Sequence, residues 1–148
     1  MSKLSAASVR RIMLALTAAF GLAAVAVAEE PSTPAATPTP PNTTGLASLG
    51  ADWRTADPYR GDPKAIAYGK SLFAENCARC HGIDAISGGI APDLRFLPAG
   101  EEGDAIFSNR VRNGASRDGR VAMPKMAPVL GQEALWTIRS WLDTVRQE

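Results

Sequence analysis

The stretch NCARCHG, residues 76–82, contains both cysteines and the only histidine of this 148-residue chain. A disulfide between two cysteines separated by two residues would close a very short loop and stabilise the fold little. A redox-active Cys-x-x-Cys needs a βαβ context, but no strand-like alternation surrounds this one. A structural zinc ion takes four ligands, whereas Cys77, Cys80 and His81 supply three. These exclusions favour a use in which both thiols and the imidazole act on one bound group.

Cys-x-x-Cys-His has a specific use in exported proteins, the covalent attachment of haem. The two thiols add across the vinyl groups of the porphyrin, and the adjacent imidazole binds the iron. In a helix, Cys77 and Cys80 lie about one turn apart, so both sulfur atoms reach the same porphyrin edge. The motif therefore predicts one haem c, bound covalently through Cys77 and Cys80, with His81 as an iron ligand.

The N-terminus has the pattern of a secretory signal peptide over residues 1–28. Three basic residues precede an uncharged stretch, residues 12–28, which ends in Ala-Val-Ala, a small-x-small cleavage pattern. An uncleaved membrane anchor is the alternative, because about 17 apolar residues reach the lower limit for crossing a bilayer. We expect export to the periplasm, with membrane attachment only if this segment is retained.

A proline-rich segment follows the signal. Residues 29–50 combine five prolines with small polar residues and predict a flexible linker. Residues 51–148 then form the predicted folded part, long enough for one compact domain. From residue 51 onward, 13 basic and 13 acidic residues balance each other. A neutral domain argues against binding to nucleic acid.

The second axial ligand of the iron is found by elimination. No histidine other than His81 is present, so ligation by two histidines is excluded. Outside the signal, the methionines are Met123 and Met126, in VAMPKMAPVLG. Pro124 stiffens the backbone beside Met123, so we favour Met123 as the ligand, with Met126 packing beside the ring and Lys125 ligating only in a minor form. A thioether ligand raises the reduction potential and leaves no open position for a substrate.

Helix signals occur at both ends of the predicted domain. Asp62 followed by Pro63 is a favourable N-cap and first-turn pair, and apolar residues recur after it at helical spacing. Near the C-terminus, residues 132–145 also place apolar side chains on one helical face. We expect the two helices to cross where Gly69 allows close approach, with Phe73 next to Trp141.

A third, shorter helix is predicted over DAIFSNRVRNG, residues 104–114, ending at Gly114. The remaining segments are rich in glycine and proline, and none alternates clearly enough to predict a strand. The expected fold is all-α, with three to four helices and loops wrapped around one haem.

The chain resembles class I cytochromes c. The resemblance rests on CARCH, the helix with Gly69 and Phe73, APDL, MP and the aromatic C-terminal helix, which follow one another in that family's order from residue 62 to 145. It implies that the Pro92 carbonyl accepts a hydrogen bond from the second nitrogen of His81. It also implies that Leu94 packs on the porphyrin ring.

Two longer stretches, NCARCHGIDAISGGIAPDLR and RVRNGASRDGRVAMPKMAPVL, are similar to the small periplasmic cytochromes c that accept electrons from quinoprotein (PQQ-dependent) alcohol dehydrogenases. The proline-rich linker departs from that pattern. The resemblance implies a soluble periplasmic one-electron carrier, not an enzyme, with such a dehydrogenase as donor. A terminal oxidase or another cytochrome would be the acceptor.

Three other functions stay open from the sequence. They are a haem-based sensor or ligand-binding protein with a labile sixth ligand, a small peroxidase, and a carrier that serves a different periplasmic dehydrogenase. A cluster of basic residues offers a surface for redox partners, although such a run is as often a solvated face. It consists of Arg110, Arg112, Arg117, Arg120 and Lys125, with Asp118 as the one acidic residue among them.

Overall fold

The computed structural model describes residues 41–148. The predicted signal peptide and residues 29–40 of the predicted linker lie outside this range. The described part is mostly helical, as expected, and places its two short strands in one hairpin. The elements are α1 (Pro63–Asn76), α2 (Ala78–His81), 3₁₀ turns at Ile83–Ala85 and Leu94–Phe96, α3 (Gly100–Asn113), β1 (Ala115–Arg117), β2 (Arg120–Met123) and α4 (Ala127–Val145).

Helix α1 begins at the predicted residues. The Asp62 carboxylate accepts hydrogen bonds from the backbone N–H groups of Lys64 (2.8 Å) and Ala65 (3.2 Å), and Pro63 occupies the first turn. These bonds satisfy two of the donors that a helix N-terminus leaves unpaired. The cap therefore sets the register that brings the apolar face of α1 toward α4.

The crossing of α1 and α4 confirms the prediction for Gly69. A Cβ atom placed on Gly69 would lie 2.0 Å from the carbonyl oxygen of Thr137, so only glycine lets the two backbones come this close. One turn further along α1, the rings of Phe73 and Trp141 pack with their centroids 4.6 Å apart. Within residues 41–148, this contact joins the first and last long helices and closes the core.

We expect Gly69→Ala to destabilise the haem-loaded protein by about 2 kcal/mol, because the added methyl group collides with backbone that cannot rotate away. The free energy of unfolding by denaturant measures the effect. Lys70→Ala, at the neighbouring exposed position of α1, is the matched control and should change it by less than about 0.5 kcal/mol. Equal stability of the two variants would show that the helices do not meet at Gly69.

The C-terminal helix is longer than predicted. It begins at Ala127, and Gly131, with φ of 76°, interrupts its first turns. Leu135, Ile138 and Leu142 are buried as expected. Helix α3 ends at Gly114 as predicted but begins at Gly100, four residues earlier than the predicted segment.

The absence of strands was a wrong prediction. Residues 115–117 and 120–123 pair as an antiparallel hairpin, joined by Asp118 (φ 51°) and Gly119 (φ 73°). Two successive residues with positive φ are typical of the type I′ turn that connects tight hairpins. The strands are only three and four residues long and mostly exposed, so the sequence shows no alternation of apolar and polar residues there.

The segment before α1, residues 42–62, wraps over α4, and we call it the N-terminal strap. Leu49 is buried, its N–H donates to the Glu133 carboxylate (3.0 Å), and the Gln132 amide donates to the Gly50 carbonyl (2.7 Å). The predicted end of the linker at residue 50 therefore falls inside the packed part of the chain. A buried leucine and long-range hydrogen bonds hold this stretch in place despite its small polar composition.

An aromatic cluster lies beneath the strap. Trp136 of α4 is fully buried between Trp53 of the strap and Phe107 of α3, with ring centroids 6.1 and 6.0 Å away. The Trp53 indole donates to the Ser108 hydroxyl at 2.7 Å. The strap thus joins α3 and α4 on the side of α4 that α1 does not cover.

Candidate functional site

The Cys-x-x-Cys-His stretch folds as a single helical turn directly after α1. The Cys77 carbonyl accepts hydrogen bonds from the N–H groups of Cys80 (3.1 Å) and His81 (3.0 Å). Gly82 then ends the turn with φ of 81°, and a Cβ atom there would lie 1.8 Å from the Ile86 carbonyl oxygen. The turn places the two thiols three residues apart on one short helix, as covalent attachment at two points requires.

The His81 ring is buried and held by the backbone. It is 9% exposed, and its Nδ1 lies 2.9 Å from the carbonyl oxygen of Pro92. A carbonyl only accepts, so Nδ1 carries the proton and Nε2 keeps the lone pair. A backbone carbonyl on the far nitrogen is the usual device that orients an imidazole toward a metal ion and raises its basicity.

The loop that presents Pro92 is pinned by Asp93. The Asp93 carboxylate accepts from the Ser87 N–H (3.2 Å) and, through both oxygens, from the Arg95 guanidinium (3.0 and 2.8 Å). The hydrogen bond from Arg95 holds the pKa of Asp93 well below its usual range, so this carboxylate stays ionised at neutral pH. Leu94 follows, half-buried, at the start of a 3₁₀ turn. The family resemblance predicted the contact with Pro92, the packing of Leu94 on the ring stays a prediction, and the Asp93–Arg95 pair that pins this loop was not predicted.

The Cys77 thiol does not have the surroundings of a reactive thiol. Burial raises the pKa of the Cys77 thiol to about 12, with a smaller contribution from Cys80, and no disulfide joins them. Catalytic and metal-binding cysteines have lowered pKa values instead. Among residues 41–148, no group of three or more His, Cys, Asp or Glu side chains is placed to hold a metal ion. Two thiols and an imidazole on one turn suit the attachment of a porphyrin and the ligation of its iron.

Both candidate methionines are held by backbone contacts. Met123 ends β2 opposite Ala115, and Gly114 packs so tightly on its carbonyl that a Cβ atom there would lie 2.5 Å from the oxygen. The Met126 N–H donates to the Val111 carbonyl at 2.8 Å. Both side chains are half-buried against the core. Met123 also lines a pocket of about 310 Å³ at the base of the hairpin, together with Asn113, Ala115, Ser116, Val121, Pro124 and Lys125.

Large apolar side chains are exposed in the loop after His81. Ile83, Ile86 and Ile90 are 79%, 51% and 75% exposed, and Phe96 is 59% exposed. Apolar surface concentrated in one loop marks a binding region, and a porphyrin is a flat apolar group of the kind that such a surface covers.

Comparison with known proteins agrees with these features. Residues 66–146 match the family described as cytochrome c. The chain is 49% identical over 136 residues to cytochrome c550 of Pseudomonas aeruginosa, covering 89% of this chain and 91% of that protein. It is also 36% identical over 81 residues to quinohemoprotein alcohol dehydrogenase ADH-IIG of Pseudomonas putida, of which it spans only 11%.

The fold matches the crystal structure of cytochrome CL from the marine methylotroph Methylophaga aminisulfidivorans. The TM-score is 0.52 at 21% sequence identity, and the match covers 69% of this chain and 72% of that one. This likeness concerns the fold alone. Together with the family match, it shows that the chain is a class I c-type cytochrome, a member of the cytochrome c family with covalently bound haem c.

Proposed function

We propose that this cytochrome is a periplasmic one-electron carrier with a single haem ligated by His81 and Met123, and that it is not an enzyme. The observation that carries the proposal is the single buried histidine. Its Nδ1 is hydrogen-bonded to the Pro92 carbonyl, which leaves Nε2 to bind iron. The chain has no second histidine that could act as a distal acid or base. A carrier needs neither a proton donor nor an open iron position.

The residues around the turn each have a task in this proposal. Cys77 and Cys80 would attach the haem, whose iron gains and loses one electron when bound. His81 would keep its orientation in both redox states because the Pro92 carbonyl holds the imidazole. The Met123 thioether would favour the reduced form and so raise the reduction potential. Leu94 would pack beside the haem and limit the access of water.

The donor we propose is a quinoprotein alcohol dehydrogenase, and the acceptor is a terminal oxidase or another cytochrome. Support for the donor comes from the partial similarity to the quinohemoprotein alcohol dehydrogenase, a protein in which such a segment is joined to a larger chain. Electrons from alcohol oxidation would then pass to a separate carrier of related sequence.

The periplasmic location rests on the signal pattern of residues 1–28. Within residues 41–148, no helix is long and apolar enough to cross a membrane.

Stopped-flow reduction tests the donor. We expect a quinoprotein alcohol dehydrogenase supplied with ethanol to reduce the oxidised, haem-loaded protein with a second-order rate constant on the order of 10⁵–10⁷ M⁻¹s⁻¹, the usual range for specific protein association. The rise of the ferrous absorption bands measures the rate, and the same mixture without ethanol is the control. A protein that small reductants reduce but the dehydrogenase does not would remove this donor and leave the carrier function standing.

A further inference from the structure

The hairpin of residues 115–123, which we call the basic hairpin, has an unfavourable charge arrangement. Arg117 and Arg120 lie directly opposite each other across the two strands, and both are exposed. Like charges at opposed positions of an antiparallel pair destabilise it. Asp118, in the turn between them, is the one acidic residue of the segment.

In the described part of the chain, no ion pair is formed with these charges. Arg112 of the same basic run lies over the Trp53 ring at 5.2 Å, and Arg110 reaches the Gly114 carbonyl at 3.5 Å. Over residues 41–148, the side chains of Arg117, Arg120 and Lys125 make no ion pair or side-chain hydrogen bond. Within residues 41–148, Arg110 and Arg112 therefore have contacts with the rest of the chain, whereas the side chains of the hairpin arginines and of Lys125 have no charged partner.

The basic hairpin also presents apolar surface. Val121, paired with Ser116, is 75% exposed. Its side chain borders the 310 Å³ pocket, which Met123 and Lys125 also line. An apolar centre with a charged rim is the usual composition of a surface that binds another protein.

We propose that the basic hairpin is the docking site for an acidic loop of this cytochrome's redox partner; the proposal rests on the carrier function proposed above. The charge of the hairpin indicates an acidic partner. The opposed arginines destabilise the free protein, and carboxylates of a partner would pair with them in a complex. Docking here would also bring the partner to Met123, the proposed iron ligand at the end of β2.

A partner protein fits this surface better than an anionic membrane does. Membrane-surface binding needs a broad amphipathic or polybasic face. Here the charge is confined to one short hairpin beside a pocket, while the domain from residue 51 carries 13 basic and 13 acidic residues.

The test is Arg117→Glu combined with Arg120→Glu in the haem-loaded protein. The matched control is Lys70→Glu with Arg146→Glu, which changes the net charge equally at exposed positions on α1 and after α4. Two rates are measured at low and high ionic strength: reduction by quinoprotein alcohol dehydrogenase, and oxidation of the reduced protein by membranes that contain the terminal oxidase. We expect the hairpin variant to lose at least about tenfold in rate with a partner at low ionic strength, and the loss to shrink at high ionic strength.

Arg117→Gln with Arg120→Gln keeps the proposal testable if the reversed charges disturb the hairpin. This variant should unfold at the same temperature as wild type or higher, because it removes the opposed charges, yet it should react more slowly with the partner. A hairpin variant as fast as the control with both partners would overturn the docking proposal and leave the carrier function intact.

Wild-type protein that exchanges electrons with neither partner would overturn the carrier function, and the docking proposal with it. If only the dehydrogenase fails, the donor is wrong and the oxidase rates decide the docking site. Co-sedimentation with vesicles of phosphatidylethanolamine and phosphatidylglycerol tests the membrane. Binding that the hairpin variant loses, without any change in either electron-transfer rate, would assign the hairpin to lipid and contradict the proposal.

Discussion

Haem-loaded protein carrying Met123→Ala should bind carbon monoxide in its ferrous state at neutral pH, whereas wild type should not. Without the thioether the iron has an open sixth position, and the stabilisation of ferrous iron by sulfur is lost. We expect the reduction potential to fall by on the order of 0.1 V, a fraction of the roughly 0.8 V over which axial ligands tune haem proteins. Absorption spectroscopy with and without carbon monoxide, and a redox titration, measure the two effects.

Met126→Ala is the matched control for this experiment. Met126 lies three residues after Met123 and is also half-buried. Its backbone N–H donates a hydrogen bond to the Val111 carbonyl. We expect it to change packing beside the ring while keeping the wild-type spectrum. If Met126→Ala opens the iron and Met123→Ala does not, the ligand assignment is reversed. Wild type that binds carbon monoxide readily would remove the Met123 assignment together with the carrier function and would favour a sensor.

Backbone contacts do not distinguish the two methionines, because Met126 has backbone hydrogen bonds to Val111, Val129 and Leu130. We propose Met123 as the ligand because of the residues around it. Its strand pairs with Ala115, and Gly114 packs against its carbonyl too closely for any side chain. Pro124 restricts the next residue. Pro124 could be read from the sequence, whereas the hairpin was not predicted and is seen only in the structure.

Local signals predicted the helical core well. The Asp62–Pro63 pair sets the start of α1, and Gly114 ends α3, because caps depend on adjacent residues. Gly69 also identified the crossing with α4, since a glycine amid apolar helical spacing implies close approach of a partner. These features need no knowledge of contacts distant in the chain.

Contacts over long sequence distances were missed. Leu49 belongs to a segment whose composition predicts a linker, and it is buried through partners on α4 that are more than 80 residues away. The hairpin has strands too short for a periodic signal, and its turn, Asp118–Gly119, is a common turn dipeptide that gains meaning only when flanking strands pair.

The candidate site shows the same difference between local and distant contacts. Cys77, Cys80 and His81 lie within five residues of one another, so their shared turn could be predicted from the motif. The contact between His81 and Pro92 came from family resemblance, since no local rule brings a carbonyl eleven residues away onto a ring. The Asp93–Arg95 pair, which pins that loop, resembles an ordinary surface ion pair until its hydrogen bonds are known.

The largest stability effect is expected at a buried ion-pair network that joins α3, α4 and the strap. Asp104 and Arg139 are each 1% exposed, and the Arg139 Nε donates to Asp104 at 2.8 Å. Arg60 of the strap donates to the same carboxylate at 2.6 Å, and the Asp57 N–H donates to it at 2.9 Å. Arg139 also donates to the Pro98 carbonyl at 3.0 Å. Arg139 also donates to the Asp143 carboxylate, so removal of Asp104 would leave it buried with one carboxylate partner instead of two.

The pKa values of two carboxylates in this network shift in opposite directions. Burial alone would raise the pKa of Asp104, but the hydrogen bonds from Arg60 and the Asp57 N–H, and the charge of Arg139, outweigh it and lower the pKa below 3.8. Burial raises the pKa of Asp57 above 3.8, although the Ser140 hydroxyl donates to it at 2.7 Å. Asp57 therefore contributes stability that is largest below its unfolded pKa and declines as the pH rises through its folded one.

The contribution of Asp104 to stability changes with pH in the opposite direction. Its folded pKa is lowered, so its contribution to the free energy of unfolding is fully present above its unfolded pKa of 3.8 and is lost as the pH falls below that value toward the folded pKa. Stability measured by denaturant unfolding should fall in this acidic window, and a protein without the carboxylate should lack that part of the dependence.

We expect Asp104→Asn to lower the free energy of unfolding by about 3 kcal/mol at pH 7, because Arg139 stays charged and buried with Asp143 as its one remaining carboxylate partner. The difference from wild type should shrink as the pH falls below 3.8, because the Asp104 carboxyl is then protonated in the unfolded protein and, at still lower pH, in the folded one. Asp52→Asn, at an exposed aspartate of the strap, is the control and should stay within about 0.5 kcal/mol of wild type. A loss at Asp104 that is as large at pH 3 as at pH 7 would show that packing, rather than the ion pair with Arg139, holds α3 to α4 at this point.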